Sequence, residues 1–327
     1  MIEFFSLVAA LLILSLATVY IPLLSVITAL FIPVTLALLV RRLDLRYGLA
    51  ALLFLIVILS LFTGRIQPVL LLAIQTGPLG ILLGLMFKNH VSSGRSLAVA
   101  VGFSLLTAVG FLAVVYAFTG NNPFVLDPVD RQVFDLERRL LNQMAQPGGP
   151  VEGLDPASVR EMEKIVNQLE AAWPVIATSS IAIWFMFSAG LSFWITRWAM
   201  SRYGYSVPPS LPFSRWRLPW YTIWGVIAGL SFLLAGDEGN VGGLAQAGKS
   251  ILWVMGFVFT VNGMSVSSFY LGRWKVSVLV KGAVVVVLSI YLPFAVSMLI
   301  ALGITDSILN IRRLTADGRT PEEDEKK

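Results

Sequence analysis

The side chains best suited to hold a small polar ligand are Gln75, Thr76 and Asn262, each set in an otherwise apolar stretch. Stronger reagents are scarce. The chain has no Cys and one His, His90, which leaves no disulfide, no thiolate nucleophile and no Cys/His zinc site. The nucleotide signature GxxxxGK[ST] occurs nowhere, so ATP-driven work would need partner subunits. Asp127, Asp130 and Asp135 read as helix-start and solvated-face charges. The expectation is a protein with no catalytic residues, no cofactor and no metal, and not an enzyme.

In Gln75-Thr76-Gly77-Pro78, Pro78 removes a backbone donor and disfavours helix at Gly77, which predicts a kinked or broken span. Freed carbonyls beside Gln75 and Thr76 would bind a small polar ligand at mid-depth, as interrupted helices do in transporters. The alternative is a proline kink with glycines such as Gly80 and Gly84 serving close helix contact. Asn262-Gly263 is a second polar point, either ligand-binding or an interhelical hydrogen bond. Trp184, Phe185, Phe187, Phe193 and Trp194 crowd one span, for packing, lipid or a ring-shaped ligand. Gly225 and Gly229 form a GxxxG of the kind that draws helices together.

Two further segments carry charge. The loop from Pro208 to Trp220 mixes arginines and aromatics, with Arg215, Trp216 and Arg217 at its centre. These suit lipid phosphates and headgroup depth, or a cytoplasmic partner. Near the C-terminus Asp306, Asn310 and Arg313 share a face if the helix continues, because offsets of four and seven align. Asp306, Arg312 and Arg313 are the second set of candidate partner or lipid contacts.

The elements that must position these residues follow from composition. The 327 residues are 57% hydrophobic and 13% charged, with mean hydropathy +0.80. Soluble domains carry roughly 25% charged residues, so lipid is the natural solvent for this chain. The pI near 9.6 reflects loop charges rather than nucleic-acid binding. Residues 4–40 hold no charge and supply two short spans, with Pro22 in the first turn of the second. Phe4 to Tyr20 lacks a basic lead and a cleavage pattern and reads as retained.

Further spans read as 48–63, 66–87, 96–119, 173–196, 219–236 and 250–272, with a last apolar region over 276–305. Basic residues gather in alternate short loops: Arg41, Arg42, Arg46; Lys88, Arg95; Arg197, Arg202, Arg215, Arg217; Arg273, Lys275, Lys281. The opposite short loops hold only Arg65 and Lys249. The bias places the first set, and the N-terminus, in the cytoplasm. Counting 276–305 as one span gives nine helices and leaves Arg312 and Arg313 outside. Splitting it at Tyr291-Leu-Pro293 gives ten and leaves Lys281 to snorkel. Apart from Lys281, no charge lies well inside a span.

Residues 120–172 form a polar insert with nine acidic and five basic residues, expected outside the membrane. Asp127-Pro128 and Asp155-Pro156 are helix starts, and Gly148-Gly149 is a stop. Val133, Leu136, Leu140 and Met144 make one stripe; Val159, Met162, Val166, Leu169 and Trp173 make another. The organisation expected is all-α: N-terminal membrane helices 1–119, the insert 120–172, C-terminal membrane helices 173–313, and a polar tail 314–327.

Pro-Phe-Ser-Arg-Trp-Arg-Leu-Pro at 212–219 and Gly-Ile-Thr-Asp…Arg-Arg at 303–313 resemble the YybS-like family of bacterial membrane proteins. That resemblance implies an inner-membrane location and a distant kinship with the substrate-binding S components of energy-coupling-factor transporters. Their first span often bears Ala-x-x-x-Ala. Here Ala9, Ala10 and Ala17 lack that spacing, and Ser6 with Ala10 is a loose substitute. The expected role is a substrate-binding or permease-like subunit without its own ATPase, touching lipid, a small-molecule ligand and a membrane or cytoplasmic protein. The alternative is a scaffold or regulator that holds cytoplasmic partners.

Overall fold

A computed structural model describes residues 2–144, 156–273 and 290–314, with 282 and 286 as isolated positions. Its regular structure is helical: α1 (Ile2–Tyr20), α2 (Pro22–Arg42), α3 (Leu45–Thr63), α4 (Ile66–Lys88), α5 (Ser93–Thr119), α6 (Pro128–Met144), α7 (Pro156–Arg202), α8 (Ile223–Glu238), α9 (Gly242–Arg273) and α10 (Leu292–Leu309). Two 3-10 turns, Phe213–Arg215 and Trp220–Thr222, precede α8. Eight helices among the described residues are long and apolar enough to cross a bilayer, and Phe4–Tyr20 is a shorter apolar one.

The chain divides into two units, 1–120 with 181–211, and 121–180 with 212–327. The division falls inside α7, which is one continuous helix. The boundary drawn at 172/173 between insert and membrane span falls within α7, and Pro174 sits inside this helix without ending it.

In the first unit α1 and α2 part at Ile21, and Pro22 opens α2 where a missing N–H costs no hydrogen bond. The hydroxyls of Thr18 and Thr28 meet at 2.7 Å and tie the hairpin. Every residue of α2 from Ile32 to Val40 is buried, making α2 the centre of this unit. Leu11, Ile32, Leu36 and Leu39 pack with Leu55, Leu59 and Val69, while Val34 and Ala37 pack with Leu83, Phe87 and Phe193. Lipid gives helices no hydrophobic reason to associate, so close fit must hold them. Glycines provide it: a Cβ on Gly80 would lie 2.8 Å from the Pro33 carbonyl, and one on Gly84 2.9 Å from that of Ala37.

α4 runs unbroken through Pro78. Of the kinked or broken span expected there, the break is therefore corrected. One lost backbone bond is tolerable when neighbouring helices grip the segment on both sides: Gly77 is closed by Leu52, and Gly80 and Gly84 by α2.

In the second unit Asp127 caps α6, accepting from Val129 N at 3.1 Å and from the Asn121 amide at 2.8 Å. α6 buries Phe134 and Leu141 against Val159 and Val166 of α7, with Trp173 beside them. The stripe of Val133, Leu136 and Leu140 is turned away from α7. Val133, Leu136 and Leu140 are 50–58% exposed, since the seven-residue repeat of Phe134 and Leu141 on a neighbouring face wins the contact. On α7, Val159, Val166 and Trp173 face in as expected, while Met162 and Leu169 are exposed.

Glycines also join α8 to α9: the sulfur of Met255 fills the space beside Gly225, and Leu252 and Ile251 that beside Gly229, as the GxxxG predicted. α9 meets α10 at Gly263 and Gly303, where backbones touch. Later residues of α9 meet later residues of α10, Gly256 lying beside Ile300 and Asn262 bonding to Ser307. The two helices thus run in one direction and end on one side of the unit, beside residues 213–217. α10 begins at Leu292 with Pro293 in its first turn, the position expected for the split. Lys281, Gly148-Gly149, Asp155 and the tail 315–327 lie outside the described residues.

Candidate functional site

α4 presents Gln75 and Thr76 one turn before its glycine contact with α2. α7 presents Trp184, Ser188 and Ser192 at intervals of four, hence on one helix face. These five, with Ala29, Leu30, Pro33 and Leu79, line a partly open cavity of about 10 Å³ in the first unit. That is the threshold for a single water, roughly 10–15 Å³. Thr76 donates to the Leu72 carbonyl at 2.8 Å, Ser188 to that of Phe185 at 2.9 Å, and Ser192 to that of Leu30 at 3.2 Å. Gln75 differs. Its half-buried amide makes no hydrogen bond among the described residues.

α2 and α4 meet at Gly80 and Gly84 with no room for a Cβ, and α7 adds the Ser192 bond to Leu30 and the buried Ala189 and Phe193 in the same core. Sequence reading found Gln75, Thr76 and Trp184 but missed Ser188 and Ser192, whose signal was their four-residue step from Trp184.

Asn262 belongs to the second unit. Its buried amide donates to the Gly303 carbonyl at 2.9 Å and to the Ser307 hydroxyl at 3.3 Å. This is the interhelical bond of the blander expectation, and it uses the donors that would otherwise meet a ligand.

The second unit holds a buried ion pair. Asp306 and Arg312 side chains are 0% exposed and meet at 2.7 Å. α10 ends at Leu309, and Asn310 takes the left-handed conformation at φ 48°, so the chain doubles back. The expected shared face of Asp306, Asn310 and Arg313 is corrected by this turn: Arg312 points to Asp306, and Arg313 is exposed. Asp306 lies in the last turn of its helix, at the end of the span rather than well inside it.

The Arg312 guanidinium is fully used. It donates to the Ser214 carbonyl at 2.7 Å, the Trp216 carbonyl at 2.6 Å, the Ser265 hydroxyl at 2.8 Å and both Asp306 oxygens. Ser265 in turn donates to the carbonyls of Phe213 and Trp216. Such saturation is what makes a charge tolerable away from water. Arg217 reaches the Leu314 carbonyl at 3.2 Å; the Arg215 and Trp216 side chains are half-buried. Within the chain, then, Asp306 and Arg312 hold the backbone of 213–217 in place.

The first unit repeats the device, unread in the sequence. Arg197 donates to the Ser93 hydroxyl at 2.7 Å and to the Pro208 carbonyl, which Ser93 also meets at 2.8 Å. Arg41 and Arg42 sit over the rings of Tyr205 and Tyr203. Among the described residues no group of His, Asp or Glu is arranged to hold a metal ion.

Comparison with curated proteins and with solved structures finds no match. A family model described as a predicted membrane protein, DUF2232, matches residues 9–307. With eight candidate spans in an all-helical chain and a family match over most of its length, this multi-pass membrane protein belongs to the DUF2232 family.

Proposed function

We propose that the chain is a small-molecule-binding subunit of a membrane transport system, without catalytic activity or an ATPase of its own. The observation that carries this reading is Gln75, an amide without a partner on an apolar helix, facing a cavity whose other polar walls are Thr76, Ser188 and Ser192. An unpaired amide in hydrocarbon is costly, and a ligand amide or hydroxyl would relieve it. Binding requires the cavity to widen, with Trp184 as the ring that a ligand would displace or stack on. The resemblance to the YybS-like family, and through it to S components, supports the same role. On this reading, with no nucleotide signature in the sequence, a partner would supply the energy.

The charge bias of the short loops supports a cytoplasmic N-terminus, and the YybS-like resemblance supports a bacterial inner membrane. Purified protein in phosphatidylcholine nanodiscs, screened by thermal shift against a broad metabolite panel, is expected to be stabilised by a narrow chemical class. Gln75→Leu should abolish that stabilisation while leaving the unliganded melting temperature unchanged. Absence of any stabilising or co-purifying metabolite would overturn the proposal.

A second reading rests on a different observation. Within the second unit the carbonyls of Ser214 and Trp216 are anchored by Arg312. A segment held this way would be a pre-formed surface for a cytoplasmic partner, with Arg215, Arg217 and Arg313 as its charged residues. A stable non-ATPase partner, recovered from native membranes and lost on changing Arg215 and Arg217 to Ala, would favour the scaffold over the transport subunit.

A further inference from the structure

The hairpin of α6 and the start of α7 carries an exposed apolar face, separate from the Gln75 cavity and the Arg312 node. Val129, Val133, Leu136 and Leu140 recur along α6 at steps of four and three, so they share one side of it. Met162, Ile165 and Leu169 do the same on α7. All seven are 40–65% exposed. Phe134, Leu141, Val159 and Val166 fill the seam between the two helices instead.

Two hydrogen-bonded edges flank that seam and show where the exposed residues lie. On one edge Arg138 reaches Asn167 and Glu170. On the other, Trp173 donates to Asp130 at 2.9 Å. By the helical repeat of about 3.6 residues, Asp130 falls between the packed side of α6 and its exposed stripe, and Trp173 does so on α7. Both stripes therefore open on the Asp130–Trp173 edge and form one surface. The helices run antiparallel, and the Arg138–Asn167 pair sets their register. Two residues to either side, Leu136 is level with Leu169 and Leu140 with Ile165.

Lipid does not account for this surface. Residues 171–196 hold no charge and exceed the about 20 residues of a span, so α7 crosses the bilayer there. Ile165 and Met162 precede Trp173 by eight and eleven residues, about 12 and 17 Å along the axis. A stripe that follows the axis of a membrane-piercing helix leaves the bilayer instead of lying on it. The linker 145–155 has two large apolar side chains, Val151 and Leu154, too few to cover seven.

The size of the surface suits a second copy of the chain. Fully covered, the seven side chains remove on the order of 700 Å² per copy from water, close to the roughly 800 Å² per partner of a standard interface. Its layout is also self-complementary. Two copies inserted the same way in one bilayer can share a two-fold axis along its normal, which keeps every residue at its height. α6 of one copy then stands against α7 of the other, with Leu136 opposite the partner's Leu169 and Leu140 opposite the partner's Ile165. Each contact is made twice.

We propose that this surface is a homodimer interface, in which two hairpins join as a four-helix bundle beside the membrane.

The sequence has no Cys, so introduced cysteines are the only thiols in the test. Two differently tagged full-length chains, one Leu140→Cys and one Ile165→Cys, are co-expressed and the isolated membranes oxidised. A mixed disulfide is expected, in at least about tenfold greater yield than for Val129→Cys with Met162→Cys, which the register sets about 21 Å apart in height. Leu136→Cys with Leu169→Cys repeats the test at the neighbouring level. Adding Val133→Lys to both chains should cut the yield at least about tenfold, since burial of one apolar side chain is worth that much. Asn142→Lys, on the far side of α6, should leave it unchanged. Both positions are exposed, outside the packed seam. The comparison of levels stands by itself if Val133→Lys fails to fold. Equal yields at matched and mismatched levels, or no disulfide at either, would overturn the proposal. So would cysteines that stay unlinked yet are shielded from a membrane-impermeant maleimide, a result that assigns the surface to lipid or to a different protein.

Discussion

The Gln75 cavity and the Arg312 node are both polar places inside apolar helices, and they solve the same problem in opposite ways. Around Arg312 the full charge of a guanidinium is met by a carboxylate, a hydroxyl and two carbonyls. Around Gln75 a weaker dipole is left with space beside it and no partner. The ion pair looks more like chemistry in the sequence, yet its saturation makes it a fastener. The neutral amide looks less reactive, yet its vacancy makes it the better receptor. In a low-dielectric interior, what a group lacks says more about function than how strongly it is charged.

Breaking the fastener gives the largest effect. Removing one member of a buried pair strands the other and costs about 3–5 kcal/mol. Arg312→Ala and Asp306→Ala should each lower the melting temperature in nanodiscs steeply and expose residues 213–217 to protease. The double change should cost less than the sum of the singles, a coupling that a double-mutant cycle would measure. Additivity would mean that the two side chains act independently.

Next comes the close contact of α2 with α4. Gly80→Ala drives a methyl into the Pro33 carbonyl, 2.8 Å away, and into Leu36. Overpacking of this kind costs about 1–3 kcal/mol. Gly102→Ala, with open space at the same position, should be neutral or stabilising. A thermal melt of both separates a packing glycine from an idle one, and equal melts would remove the close-contact argument.

Much of this was legible beforehand, for physical reasons. Spans announce themselves by apolar length, and starts by residues with one local function, such as Pro22, Asp127-Pro128 and Pro293. The close contact at Gly225 and Gly229 follows from their spacing. What failed needed neighbours. Pro78 breaks an isolated helix, but here Leu52 and α2 hold both sides of it. Val133, Leu136 and Leu140 form as good a stripe as Phe134 and Leu141, and only the arrival of Val159 and Val166 decides which is buried. Asp306 aligns with Arg313 only while the helix continues. The left-handed turn at Asn310 hands the contact to Arg312. Ser188, Ser192, Ser265 and Ser93 were invisible because a serine in a membrane helix is common, and its partner sets its importance.

A smaller effect sharpens the comparison of receptor and fastener using two amides. Asn262→Leu removes an interhelical bond to Gly303, and such bonds in membrane bundles average about 0.6 kcal/mol and reach about 1.7. Gln75→Leu removes no bond and should change stability by no more than about 0.5 kcal/mol, in either direction. Paired melts of the two variants decide whether the difference in partnering is real. If Gln75→Leu proves the more damaging, Gln75 is a structural residue and the cavity loses its interest.

The smallest effect lies in the α2–α3 turn, where charge is exposed rather than buried. Asp44 caps α3 and accepts from Lys88 at 2.8 Å and from Leu45 N at 2.9 Å. The Lys88 hydrogen bond, then the Leu45 amide, hold its carboxyl below the ordinary 3.8. A carboxylate with a depressed folded-state pKa adds stability that is present above its unfolded value and is lost as pH falls through the folded one. The gain is therefore complete above about pH 4 and disappears only in stronger acid. Because the Asp44 side chain is exposed, solvent screens the pair and the gain is slight. Melting temperatures of wild type and Lys88→Met should differ slightly at pH 6 and converge towards pH 3. The difference at pH 6 should also shrink when salt is raised, because screening acts on exposed charges first. Addition of salt should leave the melt of Arg312→Ala relative to wild type unchanged, since no ion reaches a pair that is sealed from solvent.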